Sequence, residues 1–185
     1  VSKNYDPRTP AGRQGADPRR KGAVVLHMLR QRLGDRAFFN GIAGFVGRSQ
    51  RSPVETSDLR RAMEEASGES LEQFFEQWCF RPGVPVLDVR TRWLADSKEL
   101  QVEVRQRQNI DADNPAFAFA LPVWIPDRVR GPGSADPTSG RVYSIDVTGR
   151  VSTLEISLDS EPEFVAVDAG MSVLGAFSID GFVFR

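Results

Sequence analysis

Residues 19–30 read RRKGAVVLHMLR, and this stretch decides the fold of the first half of the chain. Asp17-Pro18 comes just before it and supplies a helix start, because Asp can cap the first turn and Pro is tolerated at the first helical position. Apolar residues then recur on one side of a helix, at Val25, Met28, Leu29 and Leu33. Gly34 can take the left-handed conformation that ends helices. The stretch therefore predicts an amphipathic helix from about residue 18 to residue 33.

A second helix is predicted to begin at Asp35. Its apolar side chains share one face and are Phe38, Ile42, Phe45 and Val46. The same segment contains Gly41, Gly44 and Gly47, although each glycine costs a helix roughly 1 kcal/mol relative to alanine. We interpret these glycines as positions of close helix packing.

Two more helices are predicted before residue 80. Thr56 is expected to cap the third helix and Gly68 to end it. The buried side of that helix is Leu59, Ala62, Met63 and Ala66. Ser70 and Gln73 fit a capping box that would start a fourth, short helix. Its apolar residues are Phe74, Phe75 and Trp78, and Arg81-Pro82-Gly83 ends it.

After Pro82-Gly83 the apolar period changes from near four to two, which is the period of half-buried strands. Strands are predicted at 87–93, 100–105, 117–125, 142–147, 151–158 and 164–167. The segment 126–140 holds enough Pro and Gly to predict an exposed loop. Apolar residues 173–185 are interpreted as a final strand or as a surface for further polypeptide. Short alternating strands with regular turns predict an antiparallel β-sandwich.

The order of these elements predicts an α+β protein. Residues 1–17 are expected to be a loop or extended segment, 18–83 a helical subdomain of about four helices, and 84–185 the β-sandwich. The boundary is the change of period at Pro82-Gly83.

Charge is almost balanced over the whole chain, with 24 Lys and Arg against 25 Asp and Glu, but it is unevenly distributed. Bases dominate residues 1–50 and acids dominate residues 51–80. The basic part lacks interleaved aromatic residues and a nucleic-acid reader motif, so we interpret it as a solvated or docking surface and expect no nucleic-acid partner. No apolar run is long enough for a membrane segment. The apolar helical stripe predicts that the chain can self-associate.

Few residues with catalytic chemistry are present. His27 is the only histidine and Cys79 the only cysteine, so the chain holds no complete Ser-His-Asp set, disulfide or zinc ligand set. His27 is interpreted as a packed or rim histidine. The carboxylate pairs Glu64-Glu65 and Asp111/Asp113 are better explained by solvation than by acid–base catalysis. No metal or cofactor is therefore expected in this chain, which does not form a self-sufficient enzyme.

Five segments follow one another with a distinctive order and spacing. They are Lys21-Gly22-Ala23 with Leu26–Leu29, Leu33-Gly34-Asp35 with Phe38-Phe39, Thr56–Gly68, Leu71–Leu87 and Phe164–Leu174. Together they resemble the aminopeptidase N family of zinc metallopeptidases, of the gluzincin type. The resemblance implies that 18–83 is the C-terminal part of a thermolysin-like catalytic domain and that 84–185 is the following β-sandwich.

The resemblance also implies a larger parent protein that removes N-terminal residues from peptides and binds zinc through an H-E-x-x-H motif, which this sequence lacks. The chain begins with Val, so we expect an excised or processed piece whose partners are the other catalytic and helical-repeat domains of that parent. The family has a Tyr two positions before Lys-Gly that stabilises the oxyanion of the tetrahedral intermediate. Here that position is Arg19, which is the one candidate catalytic residue.

Arginine can donate to an oxyanion, but its cationic fork differs from a phenol in reach and geometry. We therefore expect lost or strongly weakened activity. The alternative is a non-catalytic homologue, a pseudoenzyme, whose sandwich and basic helices form a protein-interaction or scaffold module. A third hypothesis, a carbohydrate-binding sandwich, depends on Trp93 and Trp124, which strand spacing also allows in the core.

Overall fold

The first helix, α1, spans Pro18–Arg48 and is kinked at Gly34. The computed structural model describes residues 18–48, 53–127, 139–180 and 183–184. Gly34 has φ 72° and ψ 163°, outside the helical region, yet helical structure resumes at the next residue. The sequence predicted two helices here. Gly34 thus interrupts the helix at the predicted position, and the helical segments on either side of it follow each other without a loop. Counted as one kinked element, they leave three α-helices in the described chain rather than four.

The apolar stripe of α1 supplies the core of the helical part. Val25, Met28 and Leu29 are almost fully buried, as the sequence predicted, and Phe38 continues the stripe beyond the kink. Gly41 lies against the second helix. A Cβ added at Gly41 would stand 2.5 Å from Sδ of Met63 and 3.2 Å from its Cα. The predicted close packing is thus confirmed at this glycine, whereas a Cβ at Gly47 would meet no described atom within 4 Å.

The second helix, α2, spans Thr56–Ser67 and ends, as predicted, at Gly68, which has φ 75°. Its N-cap is Glu55 rather than the predicted Thr56. The Glu55 side chain and the Asp58 side chain form a reciprocal capping box. A Glu at the N-cap was not anticipated because Ser, Thr, Asp and Asn are the preferred residues there.

The third helix, α3, spans Glu72–Phe75 and continues into a π-helical turn at Glu76–Phe80. The predicted Ser70–Gln73 capping box is wrong. The N-cap is Leu71 and makes no side-chain cap. Its N–H instead donates to Oε1 of Glu64, at 2.8 Å, from the preceding helix. Phe74, Phe75 and Trp78 are buried, as predicted for core residues.

Ion pairs connect the basic helix α1 to the acidic segment that follows it. Arg48 lies 2.5 Å from a carboxylate oxygen of Glu65, and Arg32 lies 3.4 Å from one of Glu69. The opposite charges of residues 1–50 and 51–80 therefore partly meet within one unit. These ion pairs account for part of the basic character of α1.

The second half of the chain forms two four-stranded sheets. The strands are β1 (Val86–Leu94), β2 (Glu99–Gln106), β3 (Phe119–Pro126), β4 (Gly140–Val147), β5 (Val151–Ser157), β6 (Val165–Val167), β7 (Ala176–Asp180) and β8 (Val183–Phe184). Sheet 1 has the order β5-β2-β1-β7 and sheet 2 the order β4-β3-β6-β8. The predicted β1–β2 hairpin is confirmed, with Val89 opposite Val104. The predicted loop at 126–140 lies largely outside the described residues.

The sheets are not wholly antiparallel, which corrects the sequence prediction. β7 runs parallel to β1, and β8 runs parallel to β6. Alternation of apolar residues identifies a strand but carries no information on its direction. The apolar final segment therefore contains two strands, and each is paired in parallel at the edge of one sheet.

Buried side chains alternate along the strands as the period-two pattern predicts. Sheet 1 buries Leu87, Val89, Leu100, Val102, Val104 and Ile156, and sheet 2 buries Leu121, Val123, Ile125, Ile145, Val147, Val165 and Val167. Gln106 is the polar exception on β2, since it is fully buried. Its amide nitrogen donates to the carbonyls of Phe117 and Gly149 at 2.8 and 3.0 Å. Its amide oxygen accepts from the N–H of Phe117 and from Gln108.

The chain divides into two compact units, Val1–Gly83 and Val84–Arg185. The first contains α1, α2, α3 and the π-helical turn. The second contains both sheets. Within the described ranges, no helix combines the length and the apolar character needed to cross a bilayer.

Candidate functional site

The predicted catalytic position, Arg19, belongs to the first turn of α1. Its backbone is helical, and its side chain lies outside the described part of the structure. Pro18 begins the helix, as the sequence predicted. The role of Arg19 stays a prediction, and the described geometry of the site begins two residues later, at Lys21.

Lys21 reaches from the first turns of α1 to the end of the helical unit. Its Nζ lies 3.5 Å from the carbonyl oxygen of Gly83. Gly83 has φ +80°, a conformation that glycine adopts without the steric cost of a Cβ. Nothing in the described structure explains the glycine at position 22, because an added Cβ there would meet no atom within 4 Å.

Cys79, in the π-helical turn, is the titratable group that interacts electrostatically with Lys21. Burial lowers the pKa of Lys21, and the nearby Cys79 opposes that shift. Burial likewise raises the pKa of the Cys79 thiol, and the positive charge of Lys21 opposes that shift. Both groups are half-buried. A thiol held mainly protonated by burial is a weak nucleophile, so this pair does not resemble an activated cysteine.

The residues present do not fit a zinc ion. Zinc sites use three or four His, Cys, Asp or Glu ligands, whereas the sequence has one histidine and one cysteine. Within 18–48, 53–127, 139–180 and 183–184, no group of three such residues is arranged to hold a metal. His27 is half-buried on α1, in the environment expected of a rim histidine.

The predicted carboxylate pairs have structural contacts. Glu64 accepts from the N–H of Leu71, so it holds the start of α3 and is more than a solvated residue. Asp111 accepts from the N–H groups of Asp113 and Asn114 at 3.0 and 2.9 Å, which closes a turn between β2 and β3. Neither arrangement pairs two carboxyl groups for acid–base catalysis.

The two tryptophans considered for sugar binding are half-buried. The ring of Trp124 lies 5.7 Å from that of Phe164, measured between centroids. A Cβ added at Gly140 would stand 2.4 Å from the indole, so the backbone of β4 already covers part of that ring. Trp124 is thus not an open stacking platform.

Sequence reasoning missed the contact of Lys21 with Gly83 and its electrostatic interaction with Cys79. They join residues about 60 positions apart, and no local pattern signals such pairs. It also missed the role of Gln106, although a signal was present. Gln106 follows Leu100, Val102 and Val104 at the same parity and so occupies a core position. A polar residue there predicts a buried hydrogen-bonded side chain.

Comparison with known proteins places these observations in a family. Residues 15–78 match the model of the peptidase family M1 domain. Aminopeptidase N of Lactococcus lactis subsp. lactis is 39% identical over 67 residues, which are 36% of this chain and 8% of that protein. Aminopeptidase N of Streptomyces lividans is 30% identical over 148 residues, which are 80% of this chain and 16% of that protein. The chain belongs to the M1 aminopeptidase family.

A solved structure extends the similarity of this M1 chain to the fold. The crystal structure of Legionella pneumophila aminopeptidase A in complex with aspartic acid matches with a TM-score of 0.65 at 16% identity. The match covers 88% of this chain and 18% of the other. The M1 chain spans only 8% and 16% of the two curated relatives named above.

Proposed function

We propose that the chain works as part of a larger M1 aminopeptidase-like protein that removes N-terminal residues from peptides. The observation that carries this proposal is the match of residues 15–78 to the M1 peptidase domain, which includes the Lys21-Gly22 motif. The small share of each relative that the chain covers supports a role as one part of such a protein.

We assign the helical unit to the C-terminal part of a thermolysin-like catalytic domain and the two sheets to the β-sandwich that follows it. In the parent family zinc supplies the Lewis acid for peptide hydrolysis, and its ligands lie in a segment that this sequence does not contain. The residues of the present chain would contribute the wall of the site around position 19.

The first experiment measures metal content and hydrolysis with the 185-residue chain alone. Because the chain lacks a zinc ligand set, we expect no stoichiometric zinc and no cleavage of aminoacyl p-nitroanilides. Tightly bound zinc, or turnover that a chelator abolishes, would contradict the assignment of the metal site to another segment.

The second experiment asks whether Arg19 weakens catalysis, in the polypeptide that carries both this chain and the zinc motif. Arg19→Tyr restores the phenol hydroxyl that donates to the oxyanion in the family. We expect kcat to rise by about 10²–10³, the usual effect of one such donor. Arg20→Tyr is the matched control, because it makes the same change one residue away, and it should leave kcat unchanged.

The alternative is a non-catalytic M1 homologue that acts as a protein-interaction scaffold, and the arginine at position 19 favours it. The two functions differ in the sequence that accompanies this chain. The peptidase requires H-E-x-x-H with a Glu about twenty residues further on. If that motif is missing from the parent, or if Arg19→Tyr leaves a zinc-loaded parent inactive, the scaffold function replaces the peptidase.

A further inference from the structure

We propose that Lys21 is a positioning residue, whose contact with the main chain at Gly83 holds the first turn of α1 and thereby residue 19. The proposal rests on the proposed function in one respect, namely that residue 19 faces the substrate carbonyl. The contact itself and its effect on the helix start are independent of catalysis.

The geometry joins two distant parts of the helical unit. Lys21 and Gly83 are 62 residues apart, and the ammonium lies 3.5 Å from the carbonyl oxygen. The carbonyl belongs to a residue with φ +80°, immediately after the π-helical turn and Arg81-Pro82. The N–H of Arg81 donates to the carbonyl of Glu76 at 2.9 Å, which fixes the end of that turn. Lys21 therefore contacts an ordered segment.

Helix electrostatics do not favour a lysine at this place. The N-terminus of a helix carries partial positive charge, which is unfavourable for cations and favourable for acids. The first turn of α1 nevertheless has no acidic residue. Arg19, Arg20 and Lys21 follow one another there. Burial further disfavours the charged ammonium. A carbonyl acceptor offsets these costs, so the contact with Gly83 accounts for a half-buried lysine at the helix start.

Position 19 depends on the same turn. The first four N–H groups of a helix have no intrahelical acceptor, and helix ends fray when nothing holds them. Arg19 precedes Lys21 by two residues in the same helical turn, so fixing the backbone at Lys21 also restrains the backbone at residue 19. A residue that stabilises a transition state must be held to within a fraction of an ångström, which gives the contact a functional purpose.

Hydrogen exchange of the intact chain tests the proposal. Lys21→Met removes the charge and keeps the aliphatic stem, Lys21→Arg keeps a donor, and Lys98→Met is a matched lysine control in the other unit. The amides of residues 22–26 are the first hydrogen-bonded amides of α1. We expect Lys21→Met to speed their exchange by about three- to tenfold, and Lys21→Arg to retain most of the protection. Lys98→Met should leave these amides unchanged.

The rate at which iodoacetamide alkylates Cys79 provides a second readout, because loss of the Lys21 charge and unfolding change this rate in opposite directions. Loss of the Lys21 charge should raise the thiol pKa further and slow alkylation near pH 8 by about two- to fivefold. A variant that merely unfolds would expose Cys79 and speed the reaction. Unchanged exchange at 22–26, faster exchange spread evenly over 18–80, or faster alkylation would each overturn the proposal. None of these outcomes bears on whether the parent hydrolyses peptides.

Discussion

Gly41 shows how the absence of a side chain allows two helices to approach closely. The residue is buried on α1. A Cβ at this position would come too close to the sulfur and the backbone of Met63. Any side chain at position 41 must therefore displace Met63, which is itself fully buried. The cost of a glycine within a helix is accepted here because it allows α1 and α2 to pack closely.

We expect Gly41→Ala to destabilise the helical unit by about 1–2 kcal/mol, since overpacking outweighs the gain in helix propensity. Gly47→Ala is the matched control in the same helix and should stabilise the unit by up to about 1 kcal/mol. Urea midpoints followed by helical circular dichroism measure both. Equal shifts of the same sign would show that the Met63 contact does not limit the packing.

Among elements, α2 has the best-defined start. The side chain of Asp58 accepts from the N–H of Glu55 at 2.8 Å and also pairs with Arg61. These two contacts, the backbone hydrogen bond first, lower the pKa of Asp58. A carboxyl group with a lowered folded pKa stabilises the fold above its unfolded pKa of about 3.9, and this contribution is lost as pH falls through the folded value.

The stability of the helical unit should therefore fall on acidification from pH 5 to pH 2, with part of the slope due to Asp58. Asp58→Asn should reduce stability at pH 5 and flatten the dependence of stability on pH, because an amide does not titrate between pH 5 and pH 2. Urea midpoints at several pH values measure the effect, and Asp96→Asn in an exposed turn of the other unit is the control. A slope unchanged by Asp58→Asn would contradict the assignment.

The end of β2 depends on one buried polar residue, Gln106. We expect Gln106→Leu to cost about 2–4 kcal/mol, because it removes three hydrogen bonds from the main chain, one to the N–H of Phe117 and two to the carbonyls of Phe117 and Gly149. Gln101→Leu makes the same change on the exposed face of the same strand, where the effect should stay within about 1 kcal/mol. Guanidinium denaturation monitored by Trp93 and Trp124 distinguishes the two variants.

The elements also show what sequence could and could not predict. Local signals sufficed for the start at Pro18, the stop at Gly68 and the β1–β2 hairpin, since each depends on residues a few positions apart. The capping of α3 could not be predicted, because its acceptor is Glu64 on another helix. The parallel pairing of β7 and the contact of Lys21 with Gly83 also depend on distant residues. Their partners become neighbours only in the folded chain.

At the scale of the whole molecule, the two compact units are expected to unfold separately. Each has its own buried core, and Trp78 reports on the helical unit while Trp93 and Trp124 report on the sheets. A Trp78→Phe variant should therefore show only the sheet transition by fluorescence, and helical circular dichroism should follow a distinct one. A fragment of residues 84–185 should unfold cooperatively. Coincident transitions and an unfolded fragment would contradict this independence.

The parallel pairing of the last strands has a consequence for the order of folding. β1 begins the sheet unit, yet its partner β7 arrives about ninety residues later, and β6 likewise waits for β8. During synthesis β1 and β6 each present an unpaired edge until their partner strands β7 and β8 emerge. Contacts between such distant positions slow folding, and an open edge can pair with another chain in the meantime. Residues 176–180 and 183–184 thus occupy the edges of β1 and β6 that would otherwise be open to pairing with another chain.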